Sequence, residues 1–229
     1  MKLSIIIPAY NEEKRIQAAL FDYYNYFKRI YNNDFEIIVV CDGCKDRTPG
    51  TVKDFGKKNV KLLEFPNRLG KGGGVIEGFK AAKGSVIGFT DADDSTTAEE
   101  FEKILNYIGK YDCAIGSRAV KGSKLLEKQT IIRRFLGWVF RNYVNLLFNL
   151  GIKDTQCGAK IFKKEVKSII NDMKIKGFAF DVELLYKLKN NGFTIIEVPI
   201  KWRNSDKSKV KFKHVFDMFW TLLKFRFSS

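Results

Sequence analysis

The sequence predicts an α/β fold with a mostly parallel central sheet and helices on both faces. Three observations carry this reading. Short apolar runs recur at Leu3–Ile7, Phe35–Val40, Val60–Phe65, Val86–Thr90 and Cys113–Ser117. They alternate with segments of helical period, which is the signature of βαβ units. Three of the runs end in polar clusters, and ligands in open parallel sheets bind beyond the carboxyl ends of strands.

The elements follow in order. Leu3–Ile7 ends at Pro8 and reads as a strand buried on both faces. Asn11 is placed to cap a helix whose apolar face is Ile16, Leu20, Tyr23, Phe27 and Ile30. The second strand, Phe35–Val40, runs into Cys41-Asp42-Gly43, and a short helix is expected near 52–57. After the third strand, Gly70–Gly74 reads as a loop, with a helix over 75–82. Val86–Thr90 ends in Asp91-Ala92-Asp93-Asp94. Thr97-Ala98-Glu99-Glu100 is a capping box, and Phe101, Ile104, Leu105 and Ile108 mark the face of the helix behind it.

Beyond Arg118 the pattern turns aromatic and helical. Helices are expected over 131–150, 160–176 and 181–191, then a strand over 195–200 and a basic loop over 205–211. The final helix, 212–227, places Phe212, Val215, Phe216, Phe219, Leu222 and Leu223 on one face. Domain organisation is read as one catalytic-size unit over 1–210 and an amphipathic C-terminal helix over 211–229.

Composition narrows the function. A chain of 229 residues with 45% hydrophobic and 29% charged residues can bury a full core. Lysine and arginine outnumber aspartate and glutamate by 41 to 26, a formal charge of +15. That excess calls for an anionic partner: nucleic acid, anionic lipid or a phosphate-bearing substrate. No apolar run reaches the ~18 residues of a spanning helix, and the first residues lack a signal-peptide pattern, so a cytoplasmic location is expected. Cys41 and Cys44 form a C-x-x-C without further zinc ligands nearby, and free thiols are the expected state.

Chemistry gathers at the strand ends. Asp91 and Asp93 flank Ala92, and hard carboxylates there suit Mg²⁺ or Mn²⁺ bridging to a diphosphate; a solvated acidic turn is the alternative. Gly70–Gly74 could bring backbone N–H groups to phosphate, with Lys71 adding charge, or be a simple turn. Asp42 can accept from a base N–H or can be ordinary Asp-Gly turn chemistry. Asp181 and Glu183 lie among aromatics, where a carboxylate serves as base or positioning group, or caps a helix. Arg118, Arg133 and Arg134 offer forks to phosphate oxygens, or belong to a solvated basic face. No G-x-G-x-x-G follows the first strand, and Gly70-Lys71 is not followed by serine or threonine, so dinucleotide and P-loop signatures are absent.

Taken in order, these residues resemble the inverting family-2 glycosyltransferases of the GT-A fold. Within that family the chain is most similar to the dolichyl-phosphate glucosyltransferases. The opening Pro8-Ala9-Tyr10-Asn11-Glu12-Glu13 and the Asp91-Ala92-Asp93 motif carry the broad resemblance. The narrower one rests on Gly70-Lys71-Gly72-Gly73, Gly116-Ser117-Arg118, Asp154-Thr155-Gln156-Cys157-Gly158, Phe180-Asp181-Val182-Glu183-Leu184-Leu185 and Val198-Pro199 to Trp202 with Ser208-Lys209. The resemblance implies a nucleotide-sugar donor (UDP-glucose) and a polyprenyl-phosphate acceptor. It implies that Pro8, Ala9, Tyr10, Glu12, Asp42, Lys71, Asp91 and Ala92 hold the donor. Asp91 and Asp93 would take Mg²⁺ or Mn²⁺, with Asp93 and Asp181 catalytic. Arg118, Arg133, Arg134 and Lys209 would grip the acceptor phosphate or the diphosphate.

The chain departs from the family pattern where Asp-Asp-Gly-Ser is usual and Cys41-Asp42-Gly43-Cys44 stands, and where Asp94-Ser95 follows the metal motif. A lipid acceptor accounts for the basic surplus and the aromatic helices, which suit peripheral attachment to an anionic membrane on its cytoplasmic face. Packing of those helices in the core is the alternative. Rival functions are a GDP-mannose-dependent polyprenyl-phosphate mannosyltransferase, a family-2 enzyme with another acceptor, a basic nucleic-acid-binding module, and a degenerate scaffold. No nucleic-acid motif is present, and nucleic acid is not expected as a partner.

Overall fold

The computed structural model describes the backbone of residues 2–127, 131–203 and 212–228. The basic loop expected over 205–211 and Lys209 within it lie outside the described residues. Among the described residues a seven-stranded sheet forms the centre, in the order β3-β2-β1-β4-β7-β5-β8. Its strands are β1 (Leu3–Ala9), β2 (Phe35–Asp42), β3 (Val60–Phe65), β4 (Val86–Phe89), β5 (Cys113–Ser117), β7 (Lys160–Lys163) and β8 (Ile195–Pro199). A small parallel ladder joins β6 (Lys124–Leu125) to β9 (Lys201–Trp202). The helices are α1 (Ile16–Tyr31), α2 (Thr48–Phe55), α3 (Lys71–Ala81), α4 (Ala98–Leu105), α5 (Ile131–Phe148), α6 (Lys167–Asn171), α7 (Phe180–Asn190) and α8 (Phe212–Phe227).

The central apolar runs form strands because both of their faces are covered, whereas β3 at the edge is only half-buried. In β1, Ile6 joins the core on one side of the sheet, and Leu3, Ile5 and Ile7 join the core on the other. β1 pairs in parallel with β2 and with β4, so the chain reverses its direction of winding between β1 and β4. The carboxyl ends of β1, β2 and β4 therefore open onto one crevice at the switch point. β7 runs antiparallel to both β4 and β5, with Lys160 opposite Phe89 and Ile115. Its reversed direction brings its first residue, not its last, to the same edge.

Several expectations change. Residues 160–176 are not a helix: they form strand β7, a 3-10 turn and the five-residue α6. The fully buried Lys160 disguises this four-residue strand in the sequence. Helix α3 starts at Lys71 rather than 75, with Gly70 at φ +83° before it. The glycines there answer to packing: a β-carbon at Gly70 would stand 2.4 Å from the Lys176 carbonyl oxygen, and one at Gly72 would stand 2.5 Å from Phe180 Cβ. Asn11 does not cap α1; it sits at φ +52°, and its side chain accepts from the Lys45 N–H at 2.8 Å. At α4 the Thr97 hydroxyl accepts from the Glu100 N–H, which is one half of the expected box, and the Glu100 carboxylate accepts from the Lys201 N–H.

Helices α5 and α8 pack on each other. Phe219 contacts Phe140 and Tyr143, and the Tyr143 hydroxyl donates to the Phe219 carbonyl at 2.8 Å. Met218, Leu222 and Phe225 are buried, whereas Phe216 is exposed, so the core face of α8 is rotated from the one expected. Phe135, Trp138, Phe216 and Trp220 remain exposed on these two helices.

Candidate active site

The crevice is built from strand-end residues. At the end of β1, Ala9 is buried and Pro8 and Tyr10 are half-buried. Glu12 takes a bidentate pair from Arg15, at 2.7 and 2.8 Å, and its backbone N–H donates to the Thr48 hydroxyl at 2.7 Å. Arg15 also reaches toward Asp93, at 3.8 Å.

Asp42 ends β2, 3% exposed. Its carboxylate accepts backbone N–H groups from Leu69 and Gly70 and pairs with Arg68 at 3.4 Å. Arg68 lies over the Tyr10 ring with 3.5 Å from guanidinium carbon to centroid. Tyr10, Arg68 and Asp42 thus form one polar and aromatic wall. Such a wall can stack a planar base and hydrogen-bond its edge.

Asp91 follows β4 and meets Lys71, the first residue of α3, at 2.7 Å. Burial alone would raise the Asp91 carboxyl, but Lys71, and then Lys160 and Arg118, outweigh it and hold Asp91 below its ordinary range. Burial likewise works against the Lys71 ammonium, and Asp91 and Asp181 outweigh it, so Lys71 is raised. The loop carrying Asp154–Gly158 packs against Asp91 so closely that a β-carbon at Gly158 would fall 2.0 Å from Oδ2. Asp93 accepts from the Ser95 N–H at 3.1 Å, and its side chain is 21% exposed. Ala92 between them is buried. No cluster of three or more metal-ligating side chains occurs among the described residues. Two exposed-edge carboxylates still suit Mg²⁺ or Mn²⁺, because these ions commonly take one or two carboxylates and draw their other ligands from water and substrate phosphate.

Asp181 stands in the first turn of α7 and is 2% exposed. Its Oδ1 lies 2.5 Å from the Lys160 ammonium. Burial raises the Asp181 carboxyl, and Lys160 and Lys71 pull it back only in part, so it stays above its ordinary value. Glu183 does not face the same chemistry: it is fully buried and accepts the Lys174 and Ile175 N–H groups.

Arg118, just past β5, is committed to Asp154 through a fork at 2.7 and 2.8 Å, and its own N–H donates to the same carboxylate. Asp154 in turn is fixed by its N–H to Glu197. The guanidinium also lies 5.3 Å from the Trp202 ring. A phosphate at Arg118 would meet a guanidinium already oriented by a carboxylate. Arg134 is exposed on α5, while the Arg133 side chain lies outside the described residues, as does Lys209.

The structure thus brings Tyr10, Asp42, Lys71, Asp91, Asp93, Arg118 and Asp181 to one edge of the sheet. Sequence reasoning passed over Arg68, Arg15 and Lys160. Lys160 carried a usable signal, because Ile161 and Phe162 behind it read as strand as well as helix.

Comparison with known proteins gives the family and the fold. The family model described as glycosyl transferase family 2 matches residues 4–168. The dolichyl-phosphate beta-glucosyltransferase of Dictyostelium discoideum is 36% identical over 223 residues, covering 91% of this chain and 68% of that protein. The human protein of the same name is 32% identical, covering 91% and 69%. Among solved structures, glucosyl-3-phosphoglycerate synthase from Mycobacterium tuberculosis with Mn²⁺, uridine diphosphate and phosphoglyceric acid superposes with a TM-score of 0.74. It shares 16% identity, over 98% of this chain and 78% of that one. That likeness shows the fold, which is the GT-A glycosyltransferase fold.

Proposed function

The chain belongs to glycosyl transferase family 2 and is a glycosyltransferase; on that premise we propose that it transfers glucose, with inversion, from UDP-glucose to a polyprenyl phosphate of the dolichyl type. One observation carries the reading: a strand-end carboxylate pair with its lysine, Asp91, Asp93 and Lys71, shares a crevice with the buried Asp181. It stands in a chain 36% identical to a protein named for that transfer.

Tyr10, Arg68 and Asp42 would hold the base and Glu12 the nucleotide loop, with Pro8, Ala9 and Ala92 shaping the walls. Lys71 would exchange its bond to Asp91 for the departing diphosphate. Asp91 and Asp93 would hold Mg²⁺ or Mn²⁺, which when bound supplies charge stabilisation at that diphosphate. An acceptor phosphate is largely ionised at neutral pH and needs no proton removed. Catalysis then rests on in-line positioning and on stabilised charge. Asp181 orients the acceptor side rather than deprotonating it. Arg118, prealigned by Asp154, turns its remaining N–H groups to phosphate, and Arg133, Arg134 and Lys209 add positive charge.

No helix among the described residues is long and apolar enough to cross a membrane. We infer peripheral attachment to an anionic surface on the cytoplasmic face. Phe135, Trp138, Phe216 and Trp220 are 55–71% exposed, and such rings favour the lipid interface.

The test is direct. Purified protein is incubated with polyprenyl phosphate, divalent metal and radiolabelled UDP-glucose or GDP-mannose, and label is counted in the organic phase. Label from UDP-glucose that disappears with Asp93→Ala supports the reading. Label only from GDP-mannose retains the mechanism and changes the sugar. Label from neither donor overturns the acceptor.

A further inference from the structure

We propose that Lys160 is the positioning residue of this site: it pins Oδ1 of Asp181 from below and ties it to the loop that packs over Asp91. The proposal rests on the transfer reaction above. Lys160 is the first residue of β7, between β4 and β5 in the middle of the sheet. Its neighbours Ile161 and Phe162 are fully buried, and so is Lys160 itself. The ammonium group has three surroundings. It donates to Asp181 Oδ1 at 2.5 Å and to the Cys157 carbonyl at 2.6 Å, and it stands 5.4 Å from the Phe89 ring centroid.

Stability is a poor explanation for a lysine here. Burying an ammonium costs several kcal/mol, and a well-packed apolar residue in place of a buried pair is often neutral or stabilising. The bonding geometry supplies a better one. The Cys157 carbonyl belongs to the 154–158 loop, whose Gly158 fits against Asp91. One buried cation therefore links the carboxylate on the acceptor side to the loop that shapes the donor side. It occupies Oδ1 of Asp181 and leaves Oδ2 for the acceptor. The other charged groups acting on Asp181 are Lys71, which favours its ionised form, and Asp91, which opposes it.

Four proteins test this: wild type, Lys160→Met, Asp181→Asn and the double variant. Methionine keeps the volume of the lysine stem, and the double variant removes both charges, so a folded protein is available even if one single variant is unstable. Lys160→Met is expected to lower kcat about 100-fold while the KM for the nucleotide sugar moves less than about threefold. Added to Asp181→Asn, it should lower kcat by less than a further factor of about three, because it acts through Asp181. Full additivity of the two losses would overturn the proposal.

A second readout is independent of activity. In protein with ¹³C-labelled aspartate, the Asp181 carboxyl resonance (identified by its loss in Asp181→Asn) should titrate at higher pH in Lys160→Met than in wild type. An unchanged titration refutes the proposal. Wild-type protein that transfers no label from either donor would instead sink the reaction reading, and the carboxyl titration would still decide whether Lys160 sets the state of Asp181.

Discussion

Gly158→Ala is expected to disable transfer and leave the fold standing. A β-carbon at this position would lie 2.0 Å from Asp91 Oδ2 and 2.5 Å from its Cγ, where ordinary contact begins at 3.4 Å. The carboxylate must then move by about 1.4 Å, the shortfall between those distances. The moving group is the tip of a side chain, so the backbone can stay in place. The shift breaks the 2.7 Å pair with Lys71. That pair is partly open to solvent, so its loss should cost under about 1 kcal/mol of stability. Misplacing a reacting group by about 1 Å costs roughly 100-fold in rate, or about 2.7 kcal/mol in the barrier. The assay is label transfer to polyprenyl phosphate at saturating donor, paired with a thermal melt. Gly137→Ala is the control, since nothing lies within 4 Å of a β-carbon there. It should keep full activity and gain up to about 1 kcal/mol from helix propensity. Wild-type kcat in Gly158→Ala would refute the argument, and so would a collapse of its melting temperature.

Other outcomes follow from groups outside the transfer step. Glu36 is fully buried and accepts from Ser4 Oγ, the Lys83 N–H and Lys61 at 2.6, 2.8 and 2.6 Å. Glu36→Ala should cost about 3 kcal/mol in urea unfolding at pH 7. Burial would raise this carboxyl, but Lys61, Ser4 and Lys83 outweigh it and hold it below 4.5, so its contribution is present above that pH and lost as pH falls through the folded value. A loss under about 1 kcal/mol would contradict the network. Asp94 shows the opposite sign: burial and then Asp22 raise it to about 7, and its backbone sits at φ +56°. The folded protein holds the extra proton between about pH 4 and 7, so stability falls as pH rises through that window. Asp94→Asn should therefore melt higher than wild type above pH 7 in EDTA, with the gap closing near pH 4; a pH-independent gap would exclude this titration. Cys44 is lowered to about 7 by its hydrogen bond with Cys41. Iodoacetamide at pH 7.5 should alkylate it before the buried Cys41, Cys113 and Cys157, and mass spectrometry of Cys41→Ala should show slower labelling.

The parallel part of the sheet was readable because its strands are mostly apolar and three of them stop at polar clusters. Val60–Phe65 and Cys113–Ser117 stand where the sequence places them. Strand β7 and the glycines at the start of α3 needed the third dimension. β7 has four residues, two of them lysines, and its strand character comes from neighbours on both sides rather than from its own pattern. Glycines 70 and 72 read as a flexible loop, yet they answer to the 175–180 segment, more than a hundred residues away in sequence. Arg118 shows a different limit. Its type and place predicted a phosphate grip, but nothing local discloses that Asp154 holds it in a fork. Sequence pattern reports which side chains a strand end offers. It does not report which of them are already paired.

That pairing divides the charges of the site into two kinds. Lys71 and Asp91 are 20% and 38% exposed at the side chain, and Lys160 and Asp181 are 0% and 3%. A pair in contact with water is worth about 0–1 kcal/mol, so competing ions can separate it. In the proposed transfer a donor diphosphate would be a stronger partner for Lys71 than one carboxylate, and a divalent cation a stronger one for Asp91. Binding of donor and metal together would replace one weak bond with two stronger ones and strand neither charge. The buried pair has no such exit, since opening it leaves an uncompensated charge at a cost of about 3–5 kcal/mol. On the proposed reaction the donor half of the crevice would thus exchange partners on each turnover, and the acceptor half would stay as it is. A transfer that depends on positioning rather than on proton removal calls for that division, because the carboxylate that sets the geometry must not itself be open to exchange.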